Sequence, residues 1–169
     1  MQPSDSNMLD LAVQPPEYAQ TGSTLFPPVA ARLRSNINRY DELSQMWALA
    51  TLVDLDGQVV SEQLSGRTAD SAHPMIHSNH GHGSNDRSVG RDQAYFYFPD
   101  LAIHTPGRYR IRVTLMRMDY SYGLSDGEGV AVAEDYIDSR SIAIEDGNVG
   151  RTRPSGFLLE VTPPARANI

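Results

Sequence analysis

The sequence has no cysteine and no lysine. Without thiols, disulfides, thiolate zinc sites and cysteine nucleophiles are all excluded, and an intracellular location is expected. Without lysine, no Gly-rich phosphate loop can end in its usual ammonium, and all 14 cationic side chains are arginines. Their planar forks suit bidentate contact with phosphate or carboxylate, although genomic composition bias is the favoured explanation of the count. Long hydrophobic runs are missing too. Nothing approaches the roughly 18 apolar residues of a membrane span, and Met1 to Asp10 has neither the basic start nor the apolar stretch of an export signal. A soluble protein without membrane contact is expected. Basic charge is in deficit, 14 against 21 acids for a net charge of -7, the wrong sign for a general nucleic-acid binder. Any such binding needs a local basic patch. Gly-x-Ser-x-Gly and the metallohydrolase His-Glu pairing are absent, so neither an enzyme nor a cofactor is expected.

What is present fits one domain. The 169 residues are 40 % hydrophobic and 21 % charged, close to the globular average and enough for a single core. Met1 to Asn7 is polar and expected to be disordered, residues 8–164 form the domain, and 165–169 are a tail. Met8 to Val13 predicts a short strand, stopped where Gln14-Pro15-Pro16 removes two backbone donors. Glu17 to Leu25 predicts a loop, closed by Phe26-Pro27-Pro28. Val29, Ala31 and Leu33 then alternate with Ala30, Arg32 and Arg34, the period of a half-buried strand. Asn36 to Leu43 is polar and loop-like. Met46 to Leu55 is nearly all apolar, and Asp56-Gly57 predicts a type I′ hairpin returning through a strand over Gln58 to Leu64. From Gly66 to Asp92 the composition shifts to Gly, Ser, Asn, Asp and His, a long irregular insertion.

Ala94, Phe96 and Phe98 face one way on the next strand and Tyr95 and Tyr97 the other. Arg108 to Leu115 shows the cleanest alternation, with Tyr109, Ile111, Val113 and Leu115 opposite Arg108, Arg110 and Arg112. Asp119 to Asp138 holds six acids and no base, so an exposed loop is expected around Val130 to Ala133. Ser139 to Glu145 and Gly156 to Thr162 supply two last strands. No repeat, heptad or amphipathic helix interrupts this pattern, which predicts an all-β, Ig-like antiparallel β-sandwich. Pro106-Gly107-Arg108-Tyr109 has the order of the tyrosine corner of such folds. Trp47, Phe96, Phe98, Gly107 and Tyr109 are the expected structural residues, with Trp47 in the core.

Three groups are candidate sites. Arg108, Arg110 and Arg112 form one row and Arg32 and Arg34 another; they grip DNA phosphates, form an ordinary solvated face, or pair with the acids of Asp119 to Asp138. Tyr95 and Tyr97 lie in a subunit interface, where tyrosine is enriched, or are covered within the monomer. His73, His77, His80 and His82 are dense enough to ligate zinc or nickel, but the surrounding Ser, Asn and Gly favour a solvated polar loop, so no metal is expected and His77, His80 and His82 are the weak alternative.

The run Tyr95-Phe96-Tyr97-Phe98-Pro99-Asp100-Leu101-Ala102-Ile103-His104, continued by Gly107-Arg108-Tyr109-Arg110-Ile111, resembles the velvet-domain regulators of fungi. Gln14-Pro15-Pro16 followed by Pro27-Pro28, and Ala50-Thr51-Leu52-Val53-Asp54, are similar to the family's opening and central strand. The resemblance covers most of Leu9 to Val161. It implies a Rel-homology-like, Ig-like fold and a nucleocytoplasmic regulator that dimerises with another velvet-domain protein, homo- or heterotypically. It further implies binding to promoter DNA and coupling of sporulation to secondary metabolism. DNA-binding members carry a basic cluster where this chain has the base-free Glu17 to Leu25, so those contacts do not carry over. The family's basic segment after the last strand is also not matched before Ile169, and a dimer or targeting element is expected to be missing. The two readings are a DNA-contacting regulator and a partner subunit acting through protein contacts. The alternative from another class is an Ig-like ligand- or metal-binding module unrelated to transcription.

Overall fold

The computed structural model describes residues 8–35, 37, 39–75, 91–121 and 127–147. In chain order the strands are β1 (Leu9–Val13), β2 (Tyr18–Gln20), β3 (Val29–Ser35), β4 (Met46–Asp54), β5 (Leu64–Ser65), β6 (Ala69–Ser71) and β7 (His73–Pro74), then β8 (Arg91–Phe98), β9 (Ala102–Ile103), β10 (Gly107–Asp119), β11 (Val130–Asp138) and β12 (Ile142–Glu145). Short 3-10 turns occupy Tyr40–Gln45 and Ser61–Gln63, and no α-helix occurs among the described residues.

The first sheet has the order β1-β3-β8-β7 and the second β2-β12-β10-β4-β6, with β11 continuing beside β10 on the side where β12 begins. A small third pair joins β5 to β9. The chain therefore changes sheets between β1 and β2. Gln14-Pro15-Pro16 makes this step possible, because two residues without N–H have no ladder to leave. Arg140 fastens the crossing: its Nε donates to the Pro15 carbonyl at 2.8 Å and its backbone N–H to Gln14 Oε1 at 3.0 Å. β2 then lies parallel to β12, while β1 is antiparallel to β3.

The core lies between the two sheets and follows the period of two. Leu9 and Leu11, Val29, Ala31 and Leu33, and Ala94, Phe96 and Phe98 face Met46, Ala48, Ala50 and Leu52 with Tyr109, Ile111, Val113, Leu115, Ile142 and Ile144. Phe96 and Phe98 are fully buried. Gln93 is the extra residue of a bulge between β3 and β8, so it turns inward beside Ala94. Its amide donates to the Ile37 and Ser35 carbonyls and ties down the end of β3.

The sides of the sandwich are closed by carboxylates. Asp135 of β11 accepts the Met8 and Leu9 N–H groups at 2.8 and 3.1 Å, linking the second sheet to β1 of the first. On the opposite side Asp70 of β6, with a side chain only 1 % exposed, accepts the Tyr97 N–H at 2.7 Å just beyond the point where β7 stops pairing with β8. Arg67 and His73 complete the Asp70 carboxylate at 2.8 and 3.0 Å.

Tyr109 forms the corner. Its hydroxyl donates between the Pro106 carbonyl at 3.1 Å and Gln63 Oε1 at 2.8 Å, and a Cβ on Gly107, whose φ is +148°, would stand 2.9 Å from that oxygen. Gly107 is thus required twice, by its backbone and by the ring.

Several expectations are corrected. Trp47 is not in the core: Met46 and Ala48 point inward, so the intervening tryptophan lies half-buried on the outer face, beside Met116 and Ser71. Asp119 to Asp138 is not one loop, because Val130–Asp138 pairs along β10. Glu17 to Leu25 includes β2, and Gly66 to Asp92 includes β6, β7 and the start of β8. Gln58 to Leu64 is not the return strand of a type I′ hairpin. No non-glycine residue among those described has positive φ, so Asp56 does not supply that turn; instead Asp54 Oδ1 accepts the Asp56 and Gln58 N–H groups, each at 2.9 Å. Val53 and Val59 then form a single bridge. The expected strand over Gly156 to Thr162, the Met1 to Asn7 segment and the 165–169 tail lie outside the described residues.

Asp70→Ala leaves the Tyr97 N–H without its acceptor and is expected to cost about 2–4 kcal/mol in urea unfolding. Burial pushes the Tyr109 phenol above its ordinary value of 10.0. Its contribution to stability is therefore whole below pH 10 or so and is lost as pH rises through the raised folded-state value. Tyr109→Phe is expected to remove that alkaline loss and to cost about 1 kcal/mol at neutral pH.

Candidate functional site

The two outer sheet faces differ in how their arginines are used. On the first sheet Asp10, Arg32, Tyr95 and His73 stand in one cross-strand row. Arg32 Nε donates to Asp10 Oδ2 at 2.9 Å, and this bond raises its pKa further. Arg34 forms an ion pair with Asp92 at 3.1 Å and lies 3.9 Å from Asp10. Tyr95 stacks on His73, with ring centroids 4.8 Å apart, and Tyr95 and Tyr97 are each 41 % exposed. The face is thus neutralised within itself and presents two tyrosines. Such a surface loses little by leaving water against another protein.

The second sheet is different. Arg112 is bidentate with Asp138, Nε to Oδ1 at 2.7 Å and Nη2 to Oδ2 at 2.9 Å, and its guanidinium lies 4.4 Å over the Tyr136 ring. The bond to Asp138 raises its pKa, so this cation is fully committed. Arg117 pairs with Glu134 and Asp119, and Arg39 with Glu134 at 3.0 Å and Glu42 at 3.3 Å. Arg108 and Arg110, both exposed, are opposite Ala143 of β12 and Val53 of β4 rather than acids. Among the described residues Arg110 reaches the Ser139 carbonyl alone, at 3.5 Å. Among the described arginine side chains, only these two lack a carboxylate partner.

The predicted basic residues are therefore not one group. Arg32, Arg34 and Arg112 are internal ion-pair partners, and Arg108 and Arg110 form the remaining patch. A residue missed in the sequence joins them. Tyr18 is 68 % exposed on β2, opposite Ala143, and so shares a row with Arg108 across the intervening β12. No local pattern announced it, because β2 is three residues long and its neighbour is more than a hundred positions distant. The acids that neutralise Arg112 and Arg117 were visible, but as members of an expected loop.

His77, His80 and His82 lie outside the described residues. His73 is placed, and its Nε2 is engaged by Asp70. Among the described residues no group of three or more His, Asp or Glu side chains is arranged to hold a metal ion.

In urea unfolding, Arg112→Ala is expected to cost about 1–2 kcal/mol through the lost bidentate pair and ring contact. Arg108→Ala and Arg110→Ala are expected to stay within about 0.5 kcal/mol of the parent, as for exposed residues without partners.

No curated protein matches the chain significantly. A family model described as Velvet factor matches residues 11–142, which includes both tyrosines, all five predicted arginines and the whole of the two outer faces apart from their ends. With more than half of its length matched, and with an all-β sandwich beneath that match, this chain belongs to the velvet factor family.

Proposed function

We propose that the chain is a velvet-type regulator of fungal development and secondary metabolism that works as one subunit of a dimer, in nucleus and cytoplasm. Its partner is another velvet-domain protein, a copy of itself or a different one, and the Tyr95–Tyr97 face is the docking surface. The observation that carries this reading is the unequal use of arginine. The first face has its charge cancelled by Asp10 and Asp92, which lowers the cost of burying it, whereas the second keeps Arg108 and Arg110 uncommitted. Two uncommitted arginines among the described side chains, on a chain of net charge -7, support a minor role in gripping promoter DNA, with most of the phosphate contact supplied by the partner.

Binding to a mixed-sequence duplex over a salt series tests the DNA half of this proposal. The chain alone is expected to show weak binding with a log-log slope of about -1.8, since each neutralised phosphate contributes about -0.9, and Arg108→Ala with Arg110→Ala is expected to abolish it. A slope of about -5 that survives both substitutions would mean that the phosphate contacts lie elsewhere. Sedimentation equilibrium tests the other half. Tyr95→Arg with Tyr97→Glu is expected to give a folded monomer; an unchanged dimer overturns the assigned face.

A further inference from the structure

At one end of the second sheet the outer face joins Arg108 and Arg110 to a set of apolar side chains. Ala143 lies between Tyr18 and Arg108 in one cross-strand row, and Val53 between Arg110 and Val59 in the next. Leu55 follows Asp54, the partner of Tyr109, and so stands level with Arg108. Tyr18, Leu55 and Val59 are each more than half exposed. The acids at the rim are engaged elsewhere, Glu17 by Arg140 and the Asp54 carboxylate by the Asp56 and Gln58 N–H groups. Apolar groups left in water beside uncommitted cations suit an apolar segment that carries an acid.

The course of the chain indicates the occupant. Gly147 ends the described residues beside β2, the strand that carries Tyr18; a Cβ on it would stand 3.0 Å from Gln20 Oε1. Every other segment outside the described residues meets the described chain at the opposite end of the sandwich. There Ser35 pairs with Arg91, Trp47 with Ser71 and Asp119 with Val130, and the Met8 carbonyl accepts the Arg34 N–H. Residues 148–169 therefore start next to this patch. They contain Phe157-Leu158-Leu159-Glu160-Val161, set between Pro154-Ser155-Gly156 and Pro163-Pro164, and no other segment outside the described residues has three consecutive large apolar residues. Arg151 and Arg153 come soon after Glu145 and Asp146, so their charge is offset before Phe157. The intervening residues 148–156 span at most about 30 Å, against about 14 Å from β2 across to β4. Tethering makes the contact intramolecular, at an effective concentration on the order of millimolar, so individually weak contacts suffice.

We propose that residues 157–161 fold back onto this outer face, their apolar side chains covering Tyr18, Leu55 and Val59 and Glu160 pairing with Arg108 and Arg110. The contact withholds the two arginines from phosphate, a regulatory role that rests on their proposed use in gripping DNA.

Because the chain has no cysteine, a single one can be introduced for labelling. Full-length Thr162→Cys carrying a nitroxide is compared with its reduced, diamagnetic form by amide NMR. Broadening at Tyr18, Leu55, Val59, Arg108 and Arg110 is expected, and adding Phe157→Asp with Leu159→Asp is expected to remove it. Broadening confined to other residues, or none, overturns the docking. Broadening of an isotope-labelled chain by a separate spin-labelled one overturns the intrachain arrangement and identifies a second copy as the occupant. In duplex binding at low salt, Glu160→Gln is expected to raise affinity by up to about fivefold, the worth of one exposed ion pair, and to have no effect once Arg108→Ala and Arg110→Ala are present. Broadening at the patch with duplex affinity unchanged by Glu160→Gln overturns the competition with phosphate but not the docking. Duplex binding that Arg108→Ala and Arg110→Ala fail to weaken marks instead the failure of the DNA reading.

Discussion

A two-layer β structure has two sides where strands of different sheets run next to each other without a shared ladder, and the backbone donors there must be satisfied by something else. In this protein one carboxylate serves on each side. Asp135 holds the first N–H groups of β1, and Asp70 holds the Tyr97 N–H where β7 has ended. Both acids belong to the second sheet and both donors to the first. Each bond therefore sets how one sheet sits on the other, and a buried donor left unmade would cost about 1–3 kcal/mol. The placement of Phe96 and Phe98 inside, and of Tyr95 and Tyr97 outside, follows from the strand that Asp70 anchors. The entry of β1, with Leu9 and Leu11 in the core, follows from Asp135.

The same economy governs the surface. A chain with more acids than bases can neutralise arginines internally, and among the described side chains it does so wherever an acid stands opposite or close by. Asp10, Asp92, Glu134 and Asp138 each meet an arginine in this manner. Arg108 and Arg110 escape because their cross-strand neighbours are Ala143 and Val53. Glu17 to Leu25 carries no base, and Arg108 and Arg110 are the arginines without a carboxylate partner among the described side chains. The first sheet's outer face, by contrast, carries its charge in internal pairs and exposes Tyr95 and Tyr97.

Elements with a strong local period were legible. β3, β8 and β10 appear in the sequence as alternating residues because one side of each is covered by the opposite sheet, and the tyrosine corner announced itself through Pro106-Gly107-Arg108-Tyr109. Short strands were not. β2, β6 and β7 are two or three residues long and exist only because a distant partner offers a ladder; read alone they are loop. β11 was hidden by its acids, which look solvated in sequence but are matched across the sheet by Arg112 and Arg117. Trp47 misled for a related reason, since a large apolar residue suggests the core while its parity with Met46 and Ala48 puts it outside.

The amino-acid sequence by itself determined the all-β class, the family, the identity of the core alternation and the set of candidate arginines and tyrosines. These depend on periods of two, on turn chemistry and on local motifs, all of which act between near neighbours in the chain. Which of the described arginines lack a carboxylate partner, how β11 lies along β10 and which carboxylates close the sandwich were decided only by the tertiary structure. Those properties are set by pairs such as Met8 with Asp135 and Arg108 with Ala143, and strand register, which brings such pairs together, is settled by the packing of the whole core rather than by any segment within it.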